Sequence, residues 1–216
     1  MTDRILHHVH SSVGLNSNQY GFIPQKGTVD AAMAVKVVIE ENLKQKNWTS
    51  VVSLGVWGAF DAAWWQSILF NLKELKCPKK LFNLSRSYFS NITASLCGNT
   101  LKIEKLVIMG CPQDSCSGPG FWNIMYNSLL NMDFTRRTRV IAFADDILVL
   151  TRGKCAFDAE NYANHDLKKI ESWARENKMH FNENKSEVLL VTKKTSGDNR
   201  TPNIYLNNNV WSKYLN

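Results

Sequence analysis

No stretch of this chain approaches the roughly 20 apolar residues that a membrane-spanning helix needs. The opening, Met1-Thr2-Asp3-Arg4-Ile5-Leu6-His7-His8, lacks the apolar core of a secretory signal. There is no Cys-x-x-Cys pair. The five cysteines, Cys77, Cys97, Cys111, Cys116 and Cys155, are odd in number, which argues against a disulfide framework or a zinc knuckle. The expectation is an intracellular chain with reduced thiols. His7, His8 and His10 have no cysteine or carboxylate partner at ligand spacing and read as a surface helix end. No internal repeat is visible. Acidic residues are in deficit, 19 against 26 Lys and Arg, for a net charge of +7. That balance favours a polyanionic partner such as nucleic acid. With 44% hydrophobic and 21% charged residues, the 216-residue chain has the composition of a globular domain.

What is present centres on Val140-Ile141-Ala142-Phe143-Ala144-Asp145-Asp146-Ile147-Leu148-Val149-Leu150. Two short apolar runs read as buried strands, with Ala-Asp-Asp as the turn between them. Adjacent ionised carboxylates beside an apolar core repel each other and lose water, so they call for a cation or a shifted pKa. Alone, the stretch fits a divalent metal site or an ordinary polar turn.

The remaining elements follow from pattern. Gly21, Pro24 and Gly27 punctuate a loop, Thr28 can cap a helix running to about Gln45, and Lys26 beside that helix start is a candidate phosphate holder. A strand ends at Val56. Helices are expected up to Lys76 and over Lys79 to Ser90, then paired strands at Ile92 to Cys97 and Leu101 to Met109. The loop Gly110-Cys111-Pro112-Gln113-Asp114-Ser115-Cys116-Ser117-Gly118-Pro119-Gly120 holds three glycines and two prolines, which permit close backbone approach to a ligand. A helix follows it, and another spans Ala156 to Asn177. A strand at Ser186 to Val191 and a last hairpin near Ile204 to Trp211 close the order. The class is α+β, a small antiparallel sheet with helices packed on one face.

Five motifs in this order resemble the palm and part of the fingers of a reverse transcriptase, most closely that of non-LTR (LINE-like) retrotransposons of the insect type. They are Gln19-Tyr20-Gly21-Phe22, the loop from Gly110 to Gly120, Phe143-Ala144-Asp145-Asp146, Asn182-Glu183-Asn184-Lys185-Ser186 and Lys213-Tyr214-Leu215. The resemblance implies RNA-directed DNA polymerase activity with Mg²⁺, or Mn²⁺, as cofactor. RNA template, DNA primer and dNTP would be the partners, and the nucleus the workplace of the parent element. It implies Asp145 and Asp146 as catalytic residues, with Val56 joining them at the metals. Phe60 would lie under the incoming sugar and exclude a 2′-hydroxyl. Gln113 and Lys185 would contact the nucleotide, and Gly110, Pro112, Ser115 and Lys213 the template and primer. Residues 1–50 would be partial fingers, 51–191 the palm, and 192–216 a loop and the start of a primer-grip hairpin, with the thumb and the element's other domains missing.

The chain departs from the family at three sites. The first-strand motif reads Leu54-Gly55-Val56-Trp57-Gly58-Ala59-Phe60-Asp61, with Gly55 where the family places a metal-bridging Asp. Losing one metal carboxylate removes several kcal/mol of transition-state stabilisation, roughly a thousandfold in rate. Asp114 stands where the family has Gly, adding a side chain and a negative charge near phosphates. Trp57 is bulky where the family is small or polar. The expectation is a truncated, degenerate copy with impaired catalysis. The alternative is a non-catalytic nucleic-acid-binding remnant.

Overall fold

The computed structural model describes residues 2–98, 101–112, 115–193, 202–206 and 209–211. In chain order its elements are α1 (Thr2–His8), a π-helical turn (Val9–Val13), α2 (Thr28–Lys44), β1 (Trp48–Val56), α3 (Trp65–Glu74) and α4 (Lys79–Tyr88). Then come β2 (Thr93–Cys97), β3 (Lys102–Leu106), α5 (Gly118–Leu130), β4 (Thr138–Phe143), β5 (Asp146–Gly153), α6 (Ala156–Glu176), β6 (Phe181–Val191), β7 (Ile204–Leu206) and β8 (Asn209–Trp211). The chain divides into two compact units, 1–15 with 58–128 and 16–57 with 129–216.

The second unit is built on a four-stranded antiparallel sheet in the order β4-β5-β1-β6. Successive side chains of β1 alternate between its faces, and each face meets a helix. On one, Val38 of α2 packs on Ile141 and Leu150, with Val51 and Leu148 beside them. On the other, Ala156 and Ala159 of α6 pack on Trp48 next to Leu190. The small antiparallel sheet with packed helices is as expected, with α2 set against Val51 and α6 against Trp48, which has the opposite parity on β1. Segment 16–50 shares this unit because α2 lies on the sheet.

α2 starts one residue earlier than a Thr28 cap would have it. Gly27 is the N-cap, and its N–H donates to Asp30 Oδ2 at 2.7 Å. α6 buries Ala159, Ala163, Leu167, Ile170 and Trp173 at helical spacing. Inside this face Asp166 is fully buried. It accepts from Thr135 N–H at 3.1 Å and from Thr135 Oγ1 at 2.8 Å, and Lys169 Nζ lies 3.3 Å away.

The first unit is held by aromatic side chains. Phe89 meets Phe121 at 4.7 Å between ring centroids, Trp65 meets Phe89 at 5.4 Å, and Trp122 meets Tyr126 at 4.5 Å. Burying each such ring contributes about 1.5–3 kcal/mol. His7 and His10 are exposed, as expected of a surface helix end, while Ile5 of α1 and Val9 of the π-helical turn are buried. A Cβ on Gly120 would come within 2.7 Å of Leu6 Cδ2, so that glycine is where α1 seats on α5. β2 and β3 pair with each other as expected, and every residue of the two strands is exposed. No described helix is long and apolar enough to cross a membrane.

Candidate active site

β4 and β5 pair from Thr138↔Thr151 to Phe143↔Asp146, leaving Ala144 and Asp145 as a two-residue turn. Ala144 takes φ 55°, the positive value that such a hairpin needs at its first central position. An Ala in this region carries about 1–3 kcal/mol of strain, so the surroundings must hold it there. Asp145 is half-buried, and Asp146 is exposed as a residue while its carboxyl end is partly shielded from water. Burial holds the Asp146 carboxyl above the usual carboxylate range. Asp145 pushes it further up, and the Lys185 charge opposes both.

A raised carboxyl pKa makes the charged form a burden in the folded state. That burden is full well above the raised value and is relieved as the pH falls through it. Asp146→Asn is therefore expected to raise Tm slightly at pH 7, and the gain is expected to vanish below the ordinary carboxylate value of 3.8. Thermal melts of both proteins at the two ends of that range check the sign.

β1 brings the first-strand motif beside this turn. Its ladder with β5 runs from Trp48↔Gly153 to Leu54↔Ile147. One step further along the two strands stand Gly55 and Asp146. Residue 55 is thus on the strand next to the carboxylate hairpin, in the same sheet. Val56, the next residue and nearly fully buried, pairs with Phe181. Among the described residues no group of three or more His, Cys, Asp and Glu is placed to hold a metal. The two carboxylates are hard oxygen donors suited to one divalent cation. They do not make the donor set of a pair of metals bridged from β1, because Gly55 carries no side chain.

On the far side of β1, β6 is not a plain strand. Its pairing with β1 steps from Ser53↔Glu187 to Gly55↔Asn182, so residues 183–186 bulge out of the ladder. Ser186 staples this bulge. Its Oγ accepts from Gly55 N–H at 2.9 Å and donates to Asn182 O at 2.7 Å, while Asn182 Oδ1 accepts from Asn184 N–H at 3.0 Å. The sequence pattern missed it, starting the strand at Ser186. The bulge sets Lys185 over Gly55: a Cβ on Gly55 would lie 2.7 Å from Lys185 Cβ and 3.2 Å from Lys185 O. Ser186→Ala leaves two buried backbone groups unpaired and is expected to cost about 1–3 kcal/mol, read as a lower urea midpoint at unchanged m-value.

Phe60, Gly110, Pro112 and Ser115 lie in the first unit. Phe60 contacts Trp122 at 5.4 Å between centroids, and its carbonyl accepts from Cys111 N–H at 2.8 Å. Gly110 donates its N–H to Ala63 O and accepts from Trp65 Nε1, both at 2.8 Å. Pro112 is exposed, and Ser115 Oγ accepts from Gly118 N–H at 2.9 Å where α5 begins. That helix starts inside the glycine-rich loop rather than after it. Gln113, Asp114 and Lys213 lie outside the described residues. Trp57 is exposed and its N–H donates to His180 O at 2.9 Å. Buried Cys111 has its thiol pushed up to about 12 by burial, so it stays an uncharged core group. None of the five cysteines is in a disulfide.

An antiparallel sheet with an Asp-Asp hairpin beside the first-strand motif is the arrangement the resemblance implied. The sequence matches the family described as "Reverse transcriptase (RNA-dependent DNA polymerase)" over residues 1–208. This chain belongs to the reverse transcriptase family. Its relatives include the Pol polyprotein of the type-1 retrotransposable element R1 of Bradysia coprophila, 29% identical over 90% of this chain and 19% of the relative. The RNA-directed DNA polymerase of the mobile element jockey of Drosophila funebris is 28% identical over 72% of this chain and 18% of the relative. The chain therefore spans about a fifth of these curated relatives, and it falls in the non-LTR, LINE-like branch. In structure it is similar to telomerase of Candida Tropicalis bound to a fragment of telomeric RNA. That likeness has a TM-score of 0.67 at 10% identity and covers 95% of this chain and 34% of the telomerase chain. At that identity it speaks to the fold alone. Reverse transcriptases as a family polymerise nucleotides with the help of divalent metal.

Proposed function

We propose that this chain is an RNA-directed DNA polymerase domain in which the metal centre has been reduced and catalysis is strongly impaired. The observation that supports the reading is the register of β1 with β5, in which Gly55 and Asp146 follow the pair Leu54↔Ile147; in this reading a carboxylate at residue 55 would complete the centre. Residues 1–50 act as part of the fingers, 51–191 as the palm, and 192–216 as a loop and the start of the primer grip. Asp145 and Asp146, with the Val56 backbone beside them, take a single Mg²⁺ or Mn²⁺ ion. Phe60, Gln113 and Lys185 face the dNTP, and Gly110, Pro112, Ser115 and Lys213 the RNA template and DNA primer. Asp114 works against phosphate approach through its charge.

Primer extension on poly(rA)/oligo(dT) with Mg²⁺ or Mn²⁺ tests this. The expected rate is at least about a thousandfold below that of a reverse transcriptase domain with all three carboxylates. Robust extension by the unaltered chain sinks the impairment. A second reading, a non-catalytic nucleic-acid binder, is favoured by the +7 charge. It requires duplex affinity that falls steeply and linearly in log–log form with salt. Affinity that is salt-insensitive or absent at low salt removes it.

A further inference from the structure

The loop before α2 is bonded at Asn18 and Tyr20 to the strand that leads into the carboxylate turn. Asn16 Nδ2 donates to Leu130 O at 2.9 Å and to Asn131 Oδ1 at 2.8 Å, anchoring one end. Asn18 and Tyr20 then run beside β4 as a short parallel bridge. Ala142 N–H donates to Asn18 O and Tyr20 N–H donates to Ala142 O, each at 2.9 Å. Gln19 is 1% exposed, and its Oε1 accepts from the N–H groups of Tyr20 at 3.0 Å and Gly21 at 3.3 Å. Lys26 closes the loop. Its Nζ donates to Ser17 O at 2.6 Å and to Gln19 O at 3.0 Å, and lies 4.6 Å from the centre of the Tyr20 ring.

Gly21 is where this loop presses on the turn itself. A Cβ added there would overlap the backbone N of Ala144 and lie 2.6 Å from its Cα and 3.0 Å from its Cβ. Backbone atoms cannot step aside as a flexible side chain can. Ala144 is also the residue held at φ 55°, so the strained point of the turn and the point of closest pressure coincide.

We propose that residues 16–27 are a strap that sets the position of the Asp145–Asp146 turn, with Gln19, Gly21 and Lys26 as its positioning residues. Lys26 is then a structural tie, not a phosphate holder. Burial lowers its pKa and Asp30 raises it, in keeping with an ammonium group spent on backbone carbonyls. The functional meaning of the strap rests on the polymerase reading; its existence does not.

The test compares the full chain with Lys26→Met, Gly21→Ala and the control Lys36→Met, a residue of α2 in an exposed pair with Glu40. Amide exchange is followed by NMR, and Mn²⁺ alone is titrated by its broadening of the turn resonances. In Lys26→Met the Tyr20 and Ala142 amides are expected to exchange at least about tenfold faster, with Val52 and Val149 unchanged. Mn²⁺ affinity at the turn is expected to fall threefold or more. Gly21→Ala is expected to move the Ala144 to Asp146 resonances further than the control does. Should that variant not fold, Lys26→Met decides alone. The strap is overturned if Lys26→Met leaves Tyr20 and Ala142 protected, or accelerates the whole sheet equally. If Mn²⁺ does not bind the unaltered turn, the metal reading fails, while the exchange data still judge the strap.

Discussion

Gly55→Asp is expected to lower the unfolding free energy by about 3–4 kcal/mol in metal-free buffer. The substitution does not simply fill a gap. The Lys185 Cβ stands 2.7 Å from where the new Cβ must go, and a main-chain carbonyl stands 3.2 Å from it. Overpacking at such a site costs roughly 1–3 kcal/mol. The added carboxylate also becomes a near neighbour of Asp146, whose own charge is already disfavoured by burial and by Asp145. For a chain of this length the loss corresponds to a fall in Tm of roughly 10 °C. Divalent metal should reverse much of it. An ion bound only by the folded state, at 100 times its Kd, adds about 2.7 kcal/mol. Mn²⁺ is thus expected to raise the Tm of Gly55→Asp by several degrees more than that of the parent. A variant as stable as the parent without metal would mean that the β6 bulge yields freely. A variant with no extra response to Mn²⁺ would mean that residue 55 does not face the centre. The β6 bulge fills the room a side chain at residue 55 needs, so Gly55→Asp alone is expected to recover little primer extension unless the bulge also moves.

Asp166→Ala is expected to cost about 3–4 kcal/mol, the second large effect. The carboxylate is fully buried and holds Thr135 by its N–H and its hydroxyl, with Lys169 alongside. Removing it leaves the part-buried Thr135 N–H without this acceptor, the Thr135 hydroxyl with Thr138 Oγ1 in place of the carboxylate, and Lys169 without its counter-charge. Urea unfolding should show a lower midpoint at unchanged slope. Asp166→Asn should recover part of the loss, since an amide oxygen can still accept from Thr135. If the alanine variant loses less than about 1 kcal/mol, water enters the site and the buried network is not what ties the entry to β4 onto α6.

The parts of this molecule that were readable from the sequence are the contiguous ones. The hairpin around Asp145 and Asp146 announces itself because both strands and the turn lie within eleven residues, and apolar runs broken by a short polar turn have few other solutions. The same holds for α2 and α6, whose apolar residues recur at helical spacing. Where a long-range partner chose the conformation, the pattern was silent. Asn182 to Ser186 looked like a turn before a strand, yet it is a bulge within one, because Ser186 finds Gly55 N–H across 131 positions of sequence. Lys26 looked like a solvated cation or a phosphate holder, and it proved to hold two carbonyls of its own loop.

Residue order and residue type settled which family the chain belongs to, that Asp145 and Asp146 are adjacent and that residue 55 is a glycine. Folding decided that Gly55 stands across from Asp146, that Lys185 in the β6 bulge occupies the space of a side chain at residue 55, and that Gly21 bears on the turn. The physical reason is that such facts depend on strand register and on close backbone approach. Both are set by hydrogen bonds and excluded volume between segments far apart in the chain, and no local pattern of apolar and polar residues encodes them.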